Sequence, residues 1–263
     1  MATYKKRGNK IRKPKVDTTV ADLEQVEFDG ESTTKEVFDA LDVTASKSEE
    51  WLEKNQKAIF TVLGIVLIGI LAYVGYTRFI QAPKEIKAAD DFAYAKSLFF
   101  EANKATQNID SLYTIALNGK DNKFGLLDIT KEYAGTKAGN LANYMAGIAY
   151  TNMNDYKNAI AYLQKFEAED AALGPIATGK IGDAFLDLEQ LNEAFNYYSK
   201  AAKMVDNEVT TPLYLFKAAS TAMDLKKYDQ ALKMFTEIKE KYPNADEAKR
   251  IDLYINQAKY ASK

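Results

Sequence analysis

A run of 20 residues without a charged side chain, from Ala58 to Thr77, constrains the fold more than any other feature of the sequence. As an α-helix the run is about 30 Å long, which matches the hydrocarbon core of a bilayer. Trp51 precedes the run and Tyr76 and Phe79 lie at its far end, and aromatic residues in these places are typical of a membrane interface. A buried core helix is the alternative, but globular cores rarely need so long an uncharged stretch. The sequence therefore predicts an interfacial and transmembrane helix at residues 48–81, with residues 58–77 in the lipid bilayer.

The position of the run predicts a retained anchor and an orientation. The run is too long for the apolar part of a signal peptide, and the residues after Arg78 do not form a small-residue cleavage site. Basic residues close to its two ends are balanced, but the whole preceding segment holds 11 Lys and Arg residues, and charges in a long folded domain weigh little in the positive-inside rule. We therefore expect the N-terminus in the cytoplasm and the larger domain across the membrane. The reverse orientation, with that domain as a cytoplasmic docking site, stays open.

Residues 1–47 are predicted to form a flexible tail that is first basic and then acidic. Residues 1–16 hold seven Lys and Arg residues and no acid, whereas residues 17–57 hold four Lys and 12 Asp and Glu residues. The basic block suits contact with anionic lipid or ribosomal RNA, or it is a solvated tail that helps to set topology. Thr33 and Glu36 have the spacing of a capping box, which predicts a short amphipathic helix, and a second helix start is predicted near Ser48.

The chain contains neither His nor Cys, which removes most catalytic and metal-binding chemistry from consideration. Thiolate nucleophiles, Ser-His-Asp triads, zinc sites with Cys or His ligands and a lipid-modified cysteine are all excluded. The acidic groups at Asp90-Asp91 and at Glu167, Glu169 and Asp170 are interpreted as solvated helix ends. We expect no catalytic residue, no cofactor and no metal, so an enzyme is the least favoured class.

The residues after the run have the apolar periodicity of helices, and part of them repeats. Three segments, starting at Gly147, Gly182 and Ala219, align with offsets of 35 and 37 residues. Each has a second small residue twelve positions after the first, and large residues on both sides of that second position. These are Ala159, Ala194 and Ala231, preceded by Tyr156, Leu191 and Tyr228 and followed by Leu163, Tyr198 and Phe235. Small residues at fixed positions let paired helices approach closely, and large ones fill the space against the next pair.

This pattern resembles the tetratricopeptide repeat. The sequence predicts an all-α fold in which a single transmembrane helix is followed by a tetratricopeptide-repeat-like α-solenoid. Residues 82–139 are expected to be degenerate helical repeats, and residues 140–263 tetratricopeptide repeats with a C-terminal cap helix that starts at Asn244 and ends near Tyr260.

In that family the first helix of each pair lines a concave groove that binds a peptide or a partner helix. The resemblance places twelve residues there: Leu141, Tyr144, Ile148, Asn152, Ile176, Asp183, Leu186, Asp187, Leu213, Phe216, Met223 and Asp224. This face is expected to be apolar with scattered acids, which suits an extended or helical polypeptide rather than a C-terminal carboxylate. The alternative for each residue is that it belongs to the core between neighbouring repeats.

The segment at residues 131–150, KEYAGTKAGNLANYMAGIAY, resembles the entry into the repeats of the YfgM-type family of bacterial envelope proteins. The positions that carry this resemblance are Tyr133, Gly135, Thr136, Ala138 and Ala142, and the order of tail, span and repeats agrees with it.

The resemblance to that family implies a non-catalytic accessory of the Sec translocon in the bacterial inner membrane. Its implied partners are the translocon subunits, a periplasmic prolyl-isomerase-like chaperone and emerging polypeptides. A structural scaffold in another envelope or secretion machine is the alternative.

Overall fold

The computed structural model describes residues 33–168 and 171–262, with side chains described from Trp51 onward. The described residues are helical, apart from turns and an isolated bridge between Lys120 and Lys123. The helices are Thr33–Tyr76 (α1), Ala82–Lys104 (α2), Ile109–Asn118 (α3), Leu126–Glu132 (α4), Lys137–Asn152 (α5), Tyr156–Leu163 (α6), Leu173–Asp187 (α7), Leu191–Met204 (α8), Thr210–Asp224 (α9), Tyr228–Lys241 (α10) and Ile251–Ala261 (α11). The predicted fold class is confirmed: a long apolar helix is followed by helical repeats. The basic block at residues 1–16 lies outside the described residues.

The chain divides into two units, Met1–Leu67 and Ile68–Lys263, and α1 contributes to both. Helix α1 includes both of the starts that the sequence predicts, at Thr33 and near Ser48, within one uninterrupted helix. Its apolar part is long and apolar enough to cross a membrane, and no other described residue buries it. Of its large apolar side chains, Phe60 is 64% exposed and Ile68 is 68% exposed.

Helices α2 to α5 share one core. A π-helical turn, Thr77–Gln81, precedes α2, and Pro83 lies in the first turn of α2 as its position predicts. The buried residues of α2 are spaced three and four apart, as a single helical face requires: Ala88, Phe92, Ala95, Phe99 and Ala102. They pack against buried residues of α3, α4 and α5. Gly119 caps α3 and Gly135 lies in the turn between α4 and α5, with φ of +78° and +77°, a conformation that glycine adopts without steric cost.

Helices α5 to α10 form three antiparallel pairs in which glycine and alanine set the spacing. The repeated alanines Ala159, Ala194 and Ala231 are fully buried. A Cβ placed on Gly182 would lie 2.7 Å from the ring of Tyr198, and one on Gly147 would lie 2.5 Å from Cγ of Leu163. The small and large positions of the predicted pattern therefore meet within each pair, which explains the repeat in physical terms.

The turn inside each pair has the same backbone geometry. Asn154, Glu189 and Lys226 all adopt φ of +59°, at the same offsets of 35 and 37 residues as the repeat. The next residue in each turn donates its N–H to a carbonyl five residues back, for example from Gln190 to Phe185 at 2.9 Å. This is the hydrogen-bond pattern of a Schellman motif, although none of the three left-handed residues is glycine.

The C-terminal segment differs from the expected cap helix. Instead of one helix from Asn244, a short 3₁₀ helix, Asp246–Arg250, precedes α11. Arg250 has φ of −129° and ψ of 19°, which separates the two elements. Helix α11 buries Ile251, Ile255 and Ala258 against the last repeat, so it extends the core as well as solvating its end.

Candidate protein-binding groove

A cavity of about 450 Å³ lies beside the first helices of the second and third repeats, α7 and α9. Its walls combine apolar and polar groups. They are formed by Thr151, Lys180, Asp183, Leu186, Asp187, Tyr198, Phe216, Lys217, Ser220, Thr221 and Asp224. Because α7 and α9 are equivalent helices of successive repeats, the cavity lies on the face to which the sequence assigned the groove.

Asp183 organises the polar part of this cavity. Its Oδ1 accepts from Nζ of Lys217 at 2.6 Å and from the hydroxyl of Tyr198 at 2.8 Å. Its Oδ2 forms an ion pair with Nζ of Lys180 at 3.2 Å, one helical turn away on α7. The ammonium group of Lys217 also lies 5.5 Å from the centre of the Tyr198 ring. The carboxylate thus links three helices, α7, α8 and α9, through charge-assisted hydrogen bonds.

The surroundings of Asp183 shift the pKa values of the groups around it. Burial favours the neutral acid, but the hydrogen bond and charge of Lys217, with Tyr198 and Lys180, hold the pKa of Asp183 below its usual value. Burial and the charge of Asp183 raise the pKa of Tyr198 and bring the pKa of Tyr214 to about 12. At neutral pH the carboxylate is therefore ionised, and both tyrosines keep their hydroxyl protons.

The rim of the cavity carries two further acids, Asp187 and Asp224. Both are exposed, and neither takes part in an ion pair within the described residues. Two lysines and three aspartates line the cavity, so its net charge is negative, and Asp187 and Asp224 carry the exposed carboxylates. Leu186, which is 38% exposed, and Phe216 supply apolar surface beside it. This arrangement suits a polypeptide that inserts an apolar side chain and carries basic residues next to it.

The groove continues towards the C-terminal segment. Leu213 and Phe216 line a second cavity of about 550 Å³ together with residues of the 3₁₀ helix and Tyr254. The rings of Phe216 and Tyr254 meet edge to face, with centroids 4.8 Å apart. Phe216 therefore joins both cavities, and α11 supplies one wall of the second.

The remaining predicted groove residues are not all brought together. In α5, Leu141 packs against the core that α2 to α5 share, and Tyr144 and Ile148 are half-buried beside α6 and α7. Asn152 is exposed, but its side-chain amide donates to the hydroxyl of Tyr113. The structure thus places the α5 positions largely in packing contacts.

Two predicted positions outside α5 are also half-buried. Ile176 is half-buried near the start of α7, and Met223 is half-buried against the C-terminal core. The structure gathers Asp183, Leu186 and Phe216 around the first cavity, and Leu213 joins Phe216 at the second.

The sequence did not indicate the basic component of the groove. It predicted an apolar face with scattered acids, whereas Lys180 and Lys217 lie in the first cavity. The pair Lys180–Asp183 was detectable from its spacing of three residues on one helix. The contact of Asp183 with Lys217 joins residues 34 apart, close to the repeat length, and only the packing of successive repeats brings them together.

The acidic groups singled out in the sequence do not form a metal site in the described part of the chain. No group of three or more metal-ligating side chains converges there. Asp91 accepts a hydrogen bond from the hydroxyl of Tyr133, whereas Glu169 and Asp170 lie outside the described residues.

Comparison with known protein families supports the helical repeats directly. Residues 142–170 and 214–245 each match a tetratricopeptide-repeat family model, and they correspond to the first and third pairs. The intervening pair, α7 and α8, has the same turn geometry and the same buried small residue. No curated protein matches the chain. Tetratricopeptide repeats are typically non-catalytic scaffolds for protein–protein interaction, and the chain carries such repeats after a helix that is long and apolar enough to cross a membrane.

Proposed function

We propose that this chain is a non-catalytic adaptor of the Sec protein translocon in the bacterial inner membrane. Residues 58–77 anchor it beside the channel, with the N-terminus in the cytoplasm. The solenoid lies in the periplasm and binds a prolyl-isomerase-like chaperone or emerging polypeptides.

The observation that carries the proposal is an uncovered apolar helix followed in the same chain by a tetratricopeptide solenoid with an open groove. A membrane anchor keeps a binding protein close to partners that act at the membrane. A groove built by repeats suits binding rather than bond-making chemistry. The resemblance of residues 131–150 to YfgM-type proteins supports the assignment to the Sec translocon.

The chemistry of the groove limits which polypeptide segments can bind there. An apolar side chain fits beside Leu186 and Phe216, and Lys or Arg residues next to it would reach the exposed carboxylates of Asp187 and Asp224. Backbone groups of the bound segment can bond to hydroxyls such as that of Ser220. A segment of mixed apolar and basic character is therefore the preferred occupant.

Affinity purification of the full chain from native membranes in mild detergent, with mass spectrometry of stoichiometric partners, tests the proposal. We expect translocon subunits and a periplasmic chaperone. Leu186→Arg should lose the groove-bound partner, because it adds positive charge to a site that recognises basic segments. Translocon subunits should still co-purify with this variant, because its membrane span is unchanged. Leu253→Arg is the matched control, because Leu253 is exposed on α11 and outside both cavities.

Recovery of a different envelope complex without the channel would contradict the translocon assignment and favour the scaffold alternative. Equal partner recovery from Leu186→Arg and Leu253→Arg would instead contradict the groove as the binding surface. The first outcome therefore tests which complex the chain belongs to, and the second tests which surface binds the partner.

Sidedness has its own test, since the chain lacks cysteine. A single cysteine in place of the exposed Asn256 should react with an impermeant thiol reagent in intact spheroplasts. Protection until lysis would place the solenoid in the cytoplasm and overturn the proposed orientation.

A further inference from the structure

The start of α2 is fastened to the turn between α4 and α5, Ala134–Lys137, which we call the α4–α5 turn. The side-chain amide of Gln81 donates to the carbonyl of Gly135 at 3.2 Å. Nζ of Lys84 donates to the carbonyl of Ala134 at 3.0 Å, and the backbone N–H of Lys137 donates to the carboxylate of Glu85 at 3.1 Å. These bonds join residues at least 50 positions apart, so the turn is held at the start of α2.

This attachment fixes how far the α4–α5 turn can lie from the end of the apolar run. Gln81 and Lys84 follow Thr77 by four and seven residues, which is at most about 6 and 10 Å of helix. The headgroup layer is about 5–8 Å thick on each side of a bilayer, and the potential of an anionic surface extends about 8 Å further at physiological salt. If residues 58–77 span the bilayer, the turn is within reach of the headgroups.

The surface around the turn has the charge that anionic headgroups require. Arg78 and Lys84 precede it on the chain, and Lys137 and Lys165 line a cavity of about 220 Å³ beside it. Among the described residues in the same place, the acids are Glu85, whose carboxylate accepts from the backbone N–H of Lys137, and Glu167. The adjacent charges of Lys131 and Glu132 offset each other, so basic residues are in excess among the described residues of this surface.

The cavity also contains a polar atom that needs a partner. Oδ1 of Asn143 is buried and has no hydrogen-bond partner among the described residues. Asn143 lines the cavity together with Lys137 and Lys165. On the apolar side, Phe79 is 81% exposed and Ile80 is 57% exposed, as expected for side chains at a membrane interface.

From this geometry we propose that the α4–α5 turn rests on the membrane surface and that Lys137 and Lys165 bind the headgroups of anionic phospholipids. The inference rests on the proposed transmembrane span. It adds a second membrane contact, made by the solenoid itself, which would limit how far the solenoid can swing about the end of the span.

The test uses the full chain in nanodiscs with a fluorophore on a single cysteine at Ala134, and nitroxide-tailed phosphatidylglycerol or phosphatidylcholine as short-range quenchers. Each lysine at an anionic surface enriches anionic lipid about fivefold. We expect phosphatidylglycerol to quench the label at least about threefold more strongly than phosphatidylcholine. A label in place of the exposed Gln257 on α11 should show no such preference.

Charge variants complete the design. Lys137→Glu with Lys165→Glu should abolish the preference, whereas Lys200→Glu with Lys203→Glu, the same change at exposed positions of α8, should leave it intact. Lys137→Gln with Lys165→Gln removes the same positive charges without adding negative ones, so it is less disruptive to folding. This variant should also lose the preference for phosphatidylglycerol. Equal quenching by the two lipids at Ala134, or equal effects of both lysine pairs, would overturn the inference but leave the translocon proposal standing. Failure of the chain to enter nanodiscs would overturn the span and this inference together.

Discussion

The apolar part of α1 and the helices of the solenoid use apolar residues in opposite ways. In α1 the large side chains lie outside and stay exposed, as for Phe60 and Ile68. In α7 and α9 the inward positions are mostly small, and rings such as Tyr198 and Tyr214 fill the space between helices. Hydrophobicity alone does not distinguish the two regions; the size of the residues that face a neighbouring helix does.

The surroundings of the glycine residues differ most clearly between α1 and the solenoid. A Cβ on Gly64 would meet nothing within 4 Å, whereas one on Gly179 would lie 1.9 Å from the ring of Tyr214. In the solenoid, glycine permits close approach of a specific side chain. In α1 it faces no described side chain, which is the condition expected of a helix whose neighbour is lipid.

The largest effect is expected from removing an aromatic ring in each region. Phe235 is fully buried and packs against Phe216 and Tyr254, so Phe235→Ala should lower the free energy of unfolding by about 3–5 kcal/mol. Phe60→Ala should change solenoid unfolding by less than about 0.5 kcal/mol, because Phe60 is exposed. Chemical denaturation of the detergent-solubilised chain, followed by circular dichroism, measures both. Similar losses of unfolding free energy in the two variants would contradict the proposed difference between the two regions.

The next effect concerns the glycines themselves. Gly179→Ala should destabilise the solenoid by about 1–3 kcal/mol, because the buried ring of Tyr214 has to move. Gly64→Ala should be neutral to solenoid stability, since there is open space at that position. If Gly179→Ala instead stabilised the chain through helix propensity, the close approach of α7 and α9 would not be a constraint.

The ion network should give a smaller effect that depends on pH. Asp183→Asn should cost about 1–3 kcal/mol at pH 7, because it weakens charge-assisted bonds to Lys217 and Lys180. The pKa of Asp183 is lowered by folding, so its contribution is fully present above its usual value of 3.8 and is lost as pH falls through the folded-state pKa.

The stability curves of wild type and Asp183→Asn should therefore converge as pH falls below the folded-state pKa of Asp183. Asp252→Asn is the control, because the side chain of Asp252 is 70% exposed and its pair with Lys239 should contribute little. A constant difference between wild type and Asp183→Asn at every pH would show that the lost contribution is not electrostatic.

The smallest predicted effect is stabilising and tests the repeated turns. Lys226 adopts a left-handed conformation that costs a residue with a side chain about 1–2 kcal/mol, so Lys226→Gly should stabilise the solenoid by about 0.5–1 kcal/mol after the entropy of glycine is counted. Asn154→Gly, at the equivalent turn, should change stability less, because asparagine tolerates this conformation. Thermal denaturation of both variants tests whether Lys226→Gly stabilises the chain more than Asn154→Gly does.

The features that the sequence predicted well are those that local chemistry determines. The long helix through the uncharged run and the close packing at the repeated alanines were both predicted and confirmed. The left-handed turns were missed, because Asn154, Glu189 and Lys226 carry no common side chain and only their spacing reveals them.

The candidate site was predicted less completely, because its centre depends on contacts between repeats. Asp183 was expected in the groove, but its partner Lys217 comes from the next repeat. The α5 positions were assigned to the groove by equivalence, yet α5 also packs against the helices that precede the first repeat. That packing uses Leu141 and Tyr144 in ways that a regular repeat pattern does not encode.

In the proposed function, the anchored solenoid holds a partner in its groove at the exit of the translocon. The most direct test is site-specific photo-crosslinking in native membranes from Leu186, in the groove, compared with Leu253, which is exposed on α11. We predict crosslinks from Leu186 to a periplasmic chaperone or an emerging polypeptide in complexes that contain the channel, and none of these from Leu253. Identical crosslinks from both positions, or groove crosslinks only to subunits of a machine that lacks the channel, would contradict the proposed function.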